Sequence, residues 1–212
     1  MISAPRVILA DDHKLVAEAV RKLIGPQFDV VAIASNGHEL LELTRSLSPD
    51  IVVIDVAMPL LNGLEAGRRV KEKMPCIKVV FLTMNEDPDI AREAMDAGAC
   101  GYVLKKCAAS ELVDALSAVF RGKFYVAREI ARGMQESFTR DPNGRRRALS
   151  VTPRQRQVVQ LLAEGKSMKE AADILRVTPR TVAFHKYRVM QDLGLKTSAE
   201  VVQFAIKNRI VI

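Results

Sequence analysis

Cysteine is scarce in this chain, and Cys76, Cys100 and Cys107 show no C-x-x-C or other metal-ligand spacing. Each lies in or beside an apolar stretch and reads as a small core residue in a reducing compartment. A redox-sensing thiol is the alternative reading, but no basic neighbourhood marks any of the three for activation. Long hydrophobic runs are also missing. None approaches the length that crosses a bilayer, and residues 1–6 lack the charged-then-apolar pattern of a signal peptide. The expectation is a cytoplasmic protein with no membrane partner. There is no glycine-rich loop to cradle a nucleotide phosphate, and no separate nucleophile–base pair stands out. An independent enzyme acting on small substrates is therefore poorly supported.

What is present is apolar residue in quantity. Hydrophobic side chains make up 49% of the 212 residues, enough to pack a core in two modest domains or one large one. Charge divides the chain. Residues 1–127 carry 15 Lys and Arg against 17 Asp and Glu, a balance of −2; residues 128–212 carry 17 against 8, a balance of +9. An acidic part joined to a basic part argues for two domains with different partners, the basic one a candidate nucleic-acid binder. A merely solvated charged surface would show the same balance.

In the first part, short apolar runs alternate with longer amphipathic ones. Strands are expected at Val7–Ala10, Val30–Ala34, Ile51–Ile54, Lys78–Leu82 and Tyr102–Leu104. Helices are expected at Leu15–Ile24, Gly37–Leu47, Leu64–Lys73, Pro88–Ala97 and Ser110–Arg121. Five such units with short connections predict an α/β fold, a doubly wound five-stranded parallel sheet. Open parallel sheets carry their functional groups at the carboxyl ends of the strands. Asp11 and Asp12 follow the first strand, Asp55 the third, Thr83 the fourth and Lys105 the fifth. All five point to one edge.

Three carboxylates gathered there repel one another and resist ionising. A hard divalent cation such as Mg2+, which binds oxygen ligands alongside phosphate, resolves this, and Lys105 adds a further positive charge. Thr83 offers a hydroxyl to an incoming oxygen. The set suits phosphoryl transfer onto a carboxylate, which needs positioning and charge neutralisation more than covalent help. Asp55, at the end of a four-residue β-branched run, is the expected nucleophile. Taken singly, Asp11-Asp12 also reads as a helix N-cap pair and Lys105 as a surface lysine.

Val7–Asp12 (V-I-L-A-D-D), Ile54–Pro59 (I-D-V-A-M-P), Gly63, Thr83 and Gly101–Lys105 (G-Y-V-L-K) together resemble the response-regulator receiver domain. The resemblance covers about residues 5–122 and implies a flavodoxin-like fold. It implies that Asp55 accepts phosphate from a phosphohistidine on a sensor histidine kinase, and that the backbone carbonyl of Ala57 joins Asp11, Asp12 and Asp55 in holding Mg2+. It also places a switch pair on Thr83 and Tyr102, with Thr83 turning toward the phosphoryl group and Tyr102 turning inward behind it. By periodicity alone Tyr102 is an ordinary strand residue. Two positions that tune phosphoryl lifetime in the family fall on Ala57 and Asn85. Neither gives an attacking water an acid or a base, so slow to moderate self-dephosphorylation is expected.

Beyond a receiver of residues 1–122, residues 123–149 read as a linker with a helix. Phe124–Val126 looks extended, Glu129–Phe138 helical, and the stretch 140–147 polar and turn-rich. Arg145–Arg147 reads as a solvated hinge, with contact to DNA phosphate as the alternative. Residues 150–212 then carry four short helices with readable starts. Thr152–Gln155, Ser167–Glu170 and Thr197–Glu200 have capping-box form, and Thr178-Pro179 caps the third helix. A tight turn between the second and third suggests a small all-α helix-turn-helix domain. A helical protein-docking domain would show the same caps.

Thr152–Gly165 (T-P-R-Q-R-Q-V-V-Q-L-L-A-E-G), Lys166–Ala172 (K-S-M-K-E-A-A) and Thr178–Gly194 (T-P-R-T-V-A-F-H-K-Y-R-V-M-Q-D-L-G) resemble the LuxR-type DNA-binding domain. With the receiver, nearly the whole chain is similar to a NarL/FixJ-type two-component transcriptional regulator. The resemblance implies that the third helix, Pro179–Leu193, enters the major groove of double-stranded DNA, and that the fourth is where such domains pair. The active form is then a homodimer on two half-sites. Three positions depart from the family pattern: Gln155 stands where Glu is common, Ala183 where Lys is common, and Asp192 where Lys or Arg is common. The DNA-contact candidates are Thr178, Arg180, Thr181, Phe184, His185, Lys186, Tyr187 and Arg188. Phe184 suits a thymine methyl, and Arg180 and Arg188 suit phosphate or guanine. His185 matches the family's histidine but suits packing or a phosphate better than catalysis. The departures predict an unusual operator or weaker binding as a monomer. They also support the competing reading, a phosphate-controlled module whose C-terminal domain docks a protein.

Overall fold

The protein is described by a computed structural model that covers residues 4–107, 109–140, 151–208, 210 and 211. The Arg145–Arg147 run lies outside the described residues. The chain forms two compact units, Met1–Arg140 and Asp141–Ile212.

The first unit is built on a parallel sheet of β1 (Arg6–Ala10), β2 (Asp29–Ala34), β3 (Ile51–Ile54), β4 (Lys78–Thr83), β5 (Gly101–Leu104) and β6 (Tyr125–Val126), in the order β2-β1-β3-β4-β5-β6. The chain starts in the interior with β1, pairs β2 on one side, then returns to pair β3 on the other. This reversal opens a crevice above the carboxyl ends of β1 and β3. The helices are α1 (Lys14–Ile24), α2 (Gly37–Leu47), α3 (Gly63–Lys73), α4 (Pro88–Asp96), α5 (Ala109–Phe120) and α6 (Arg128–Arg140).

Strand alternation sorts side chains into two cores. Ile8, Val52, Ile54, Val79, Phe81, Tyr102 and Leu104 face α2, α3 and α4. Val7, Leu9, Ile51, Val53, Val80 and Val103 face α1 and α5. Burial on both faces explains why β3 reads as an unbroken apolar run. Each fully buried aliphatic side chain contributes roughly 1.5–3 kcal/mol, enough to hold polar groups at the strand ends in fixed places.

The sheet has six strands rather than the expected five. Tyr125–Val126, too short to show periodicity, pairs in parallel with β5, and the amide of Ala127 extends the ladder to the Tyr102 carbonyl at 2.9 Å. The stretch 123–140, expected to link the units, thus packs on the first. Ala127 and Ile130 sit in its core, and α6 lies on α4. There Gly133 is required, because a Cβ would lie 2.6 Å from the Pro88 ring.

The second unit has α7 (Pro153–Ala163), α8 (Met168–Leu175), α9 (Pro179–Leu193) and α10 (Ser198–Lys207). Val182 and Val189, seven residues apart on one face of α9, anchor it in two small cores. Capping boxes close at Thr152/Gln155 and Ser167/Glu170. The expected box at α10 is only half made. Thr197 accepts from the Glu200 amide, but Glu200 turns its carboxylate to the Lys196 amide at 2.7 Å. Among the described residues no helix is long and apolar enough to cross a membrane.

Candidate functional site

The ladder runs one residue past the strands and so aims their terminal side chains. The Asp55 amide donates to the Ala10 carbonyl at 2.8 Å, the Asp11 amide to Ala34 at 3.0 Å and the Lys105 amide to Thr83 at 2.8 Å. The side chains meet as expected. Lys105 Nζ lies 2.6 Å from Asp55 Oδ2 and 2.7 Å from Asp11 Oδ2. Both carboxylates are buried.

Burial raises the Asp55 carboxyl above the ordinary aspartate range. Lys105 opposes the rise through its charge and hydrogen bond, Asp11 adds to it, and a hydrogen bond from Thr83 opposes it. Burial works against the Lys105 ammonium, but the two carboxylates outweigh it and hold that group above the usual lysine value. A single ammonium cannot balance three carboxylates.

Asp12 is half-buried, and its Oδ1 is shielded from solvent with no hydrogen-bond partner. His13 Nδ1 stands 3.0 Å from that oxygen. Ligand atoms of Asp11, Asp12, His13 and Asp55 all fall within 4.8 Å of one another. An orphaned anionic oxygen beside two others is the donor set of a hard-cation site. The pocket is therefore acidic and fits a divalent ion. Ala57, two residues after Asp55, donates its amide toward Asp55 Oδ1 at 3.4 Å.

Behind Asp55, Thr83 is buried and accepts from the Asn85 amide at 3.2 Å. Tyr102 is fully buried, and its hydroxyl donates to the Asn85 carbonyl at 2.9 Å. Asn85 joins the two switch candidates, with Tyr102 in the inward position. Its side chain is occupied as well, since Asn85 Oδ1 accepts from the Asp87 amide at 2.9 Å.

Three features of this region had little or no signature in the sequence. Gly63 was visible only as part of a motif; here it starts α3 against the Asp55 carbonyl, and any Cβ there would overlap that oxygen. Glu65, buried on α3, is gripped by Arg68 and Arg69 at 2.7 Å each. Burial pushes its carboxyl up, but the two guanidiniums more than reverse this and leave it below the ordinary range. Lys106, next to the site lysine, pairs with Glu86 at 3.1 Å and with Glu129 on α6 at 2.7 Å. For Glu65 the available signal is the i,i+3 and i,i+4 spacing to Arg68 and Arg69. Cys107 is half-buried, and burial together with Glu111 pushes its thiol up, against the redox-sensing reading.

In the second unit, α9 displays Arg180, Phe184, Tyr187 and Arg188 on its exposed face, with Thr178 at the N-cap. Phe184 and Tyr187 are 65% and 60% exposed, large apolar surfaces whose rings meet only their neighbours His185 and Lys186 among the described ring contacts. The other candidates are placed differently. Thr181 is half-buried at the cap, where it meets Thr178. His185 is half-buried; burial and the Arg154 charge lower its pKa and favour the neutral ring. Lys186 donates to Ser198 on α10 at 2.7 Å. Arg188 Nε lies 3.2 Å from Asp192 Oδ1, and Gln155 Nε2 lies 3.5 Å from Asp192 Oδ2.

Residues 7–117 match the family described as the response regulator receiver domain, and residues 149–205 match bacterial regulatory proteins of the luxR family. Over 204 residues the chain is 30% identical to Response regulator UvrY of Escherichia coli strain K12, spanning 95% of this chain and 94% of that one. It is 31% identical over 208 residues to Response regulator GacA of Pseudomonas aeruginosa, spanning 97% of each. A solved structure of RcsB from Salmonella enterica serovar Typhimurium, bound to promoter rprA in the presence of phosphomimetic BeF3-, is 25% identical. Its TM-score is 0.72, with 95% of this chain and 98% of that one covered.

Proposed function

Because this chain belongs to the response regulators that join a receiver domain to a LuxR-type DNA-binding domain, we propose that Asp55 is its phosphoacceptor and α9 its DNA-reading helix. Such proteins regulate transcription and are not enzymes in the usual sense; the receiver takes part in phosphoryl transfer to its own side chain. The donor is a phosphohistidine of a sensor histidine kinase. An Asp55 carboxylate oxygen forms the new O–P bond as the N–P bond to the imidazole breaks, and the electron pair of that bond stays with the imidazole.

The observation that carries this reading is the convergence of Asp11 and Asp55 within 2.7 Å of the Lys105 ammonium nitrogen. Lys105 neutralises phosphoryl oxygen and keeps Asp55 ionised against its burial. Asp11, Asp12, Asp55 and the Ala57 carbonyl would hold Mg2+. When bound, the ion supplies charge neutralisation to the phosphoryl oxygens. Thr83 hydrogen-bonds the phosphoryl group, and Tyr102 fills the space behind it. With Ala57 small and Asn85 tied inward, neither gives an attacking water an acid or a base. Self-dephosphorylation is then slow to moderate, and a half-life of seconds contradicts this.

Phosphorylation shifts the receiver between two packings and favours a homodimer, in the cytoplasm, that sets two copies of α9 on two DNA half-sites. RcsB has been captured on DNA, and as dimers. Here the stripe of Arg180, Phe184, Tyr187 and Arg188 offers both phosphate and base contacts. The test measures DNA binding by wild type and Asp55→Ala, each with and without a small phosphodonor and Mg2+. Tighter, salt-sensitive binding by phosphorylated wild type alone supports the reading. Equal binding in all four arms removes phosphorylation from the mechanism.

A further inference from the structure

Asp192 sits in the last turn of α9, where a negative charge opposes the helix dipole and no basic side chain offsets it within that turn. It also lies on the helix assigned to face a polyanion. Two contacts hold it there. Arg188, one turn back, pairs with Oδ1 at 3.2 Å, and Gln155 of α7 reaches Oδ2 at 3.5 Å. A carboxylate at position 155 would face Asp192 as a like charge across the same gap, whereas the amide of Gln155 donates. Gln155 and Asp192 are thus matched across two helices, and the outcome of the match is that Arg188 is engaged by a group of its own chain.

From this arrangement we infer that Asp192, anchored by Gln155, is an internal stand-in for DNA phosphate that occupies Arg188 until a DNA phosphate displaces it. The inference rests on the assignment of α9 as the DNA-reading helix. A contact to any phosphate now exchanges one charged partner for another instead of filling an empty place. The cost of that exchange is the same whichever DNA supplies the phosphate. Base-edge contacts by Phe184 and Tyr187 at a cognate site add to the binding independently of it. The device lowers affinity for every DNA that reaches Arg188 and leaves discrimination to the base contacts.

The experiment uses the full chain and two duplexes, one selected from a random-sequence pool by the phosphorylated wild type and one scrambled. Asp192→Asn keeps the acceptor for Gln155 and removes the charge. Expected is a gain of about two- to fivefold on both duplexes, the scale of an exposed ion pair, with the ratio between them unchanged. In an Arg188→Ala background, Asp192→Asn gives no gain. Equal gains with and without Arg188 overturn the inference, because they reduce Asp192 to general repulsion. A gain confined to one of the two duplexes also overturns it. Salt-insensitive binding by every protein overturns the DNA reading itself, and the inference with it. Equal melting temperatures and equal Asp55 phosphorylation confirm that the variants are folded.

Discussion

The Tyr102 hydroxyl donates to the Asn85 carbonyl across 2.9 Å, while the Asn85 amide is held by Thr83 Oγ1 at 3.2 Å. One residue of the β4–α4 loop is thus clamped from both sides by the two side chains assigned to the switch. Tyr102→Phe keeps the ring in its cavity and removes one end of the clamp. The expected stability loss is about 1 kcal/mol. Phosphorylation of Asp55 continues at its normal rate, and the phosphorylation-dependent gain in DNA binding shrinks. Parallel phosphodonor labelling and DNA titration check the split.

Lys105→Met leaves the buried Asp11 and Asp55 facing each other without their cation. Breaking such a pair costs about 3 kcal/mol. The loss is largest at neutral pH and shrinks as pH falls and the Asp55 carboxyl, raised by burial, regains its proton. Urea unfolding of variant and wild type from neutral to acid pH measures it. A deficit independent of pH contradicts the pairing.

Asp55 has its carboxyl raised in the folded state, chiefly by burial. For a raised group, stability is fully present below the unfolded pKa and is lost as pH rises through the folded one. Ionised Asp55 therefore destabilises the fold at neutral pH. Asp55→Asn is expected to unfold at a higher temperature there, by roughly 3–5 °C for a gain on the order of 1 kcal/mol. The advantage disappears below the carboxylate range. Calorimetry at both ends of the range decides, and a variant equally stabilised at both contradicts the assignment.

Gly63→Ala drives a methyl group into the Asp55 carbonyl. The start of α3 has to shift, at a cost of about 3 kcal/mol. Because the displaced atom belongs to Asp55 itself, phosphodonor labelling falls more than stability alone explains. Alanine is the better helix former, so propensity alone would stabilise the variant and any loss reports the overlap.

Gln155→Glu sets a carboxylate against Asp192 in a position that is nearly buried. The second unit should lose about 1–2 kcal/mol. Adding Asp192→Lys restores attraction and recovers most of the loss. Chemical denaturation of the two variants reads this as a coupling energy, and additive effects contradict direct contact.

The sheet and its functional edge were readable because burial writes itself into residue order. Val7–Ala10 and Ile51–Ile54 have to be apolar throughout, so the first polar residue after each marks the strand end, and Asp11 and Asp55 stand there. Contacts across distant positions leave no such trace. Gln155 and Asp192 are 37 residues apart, and neither position reveals the other. Glu129 finds Lys106 only because α6 folds back onto the first unit. β6 was visible as a short extended piece but not as a strand, since two residues cannot show alternation and only their pairing with β5 defines them. Thr197–Glu200 shows the reverse error, a correct motif whose carboxylate found a better donor one residue earlier at Lys196.

The β5–β6 pairing also fixes where the receiver may be cut. A chain ending after Gly122 bares one whole flank of β5, with the Tyr102 carbonyl unpaired. It also empties the apolar seat filled by Ala127 and Ile130. A raw, flat flank of that kind is a template for a strand from another molecule. Receivers shortened at that point should self-associate through β5 whether or not they are phosphorylated, whereas those retaining everything to Arg140 keep the flank covered.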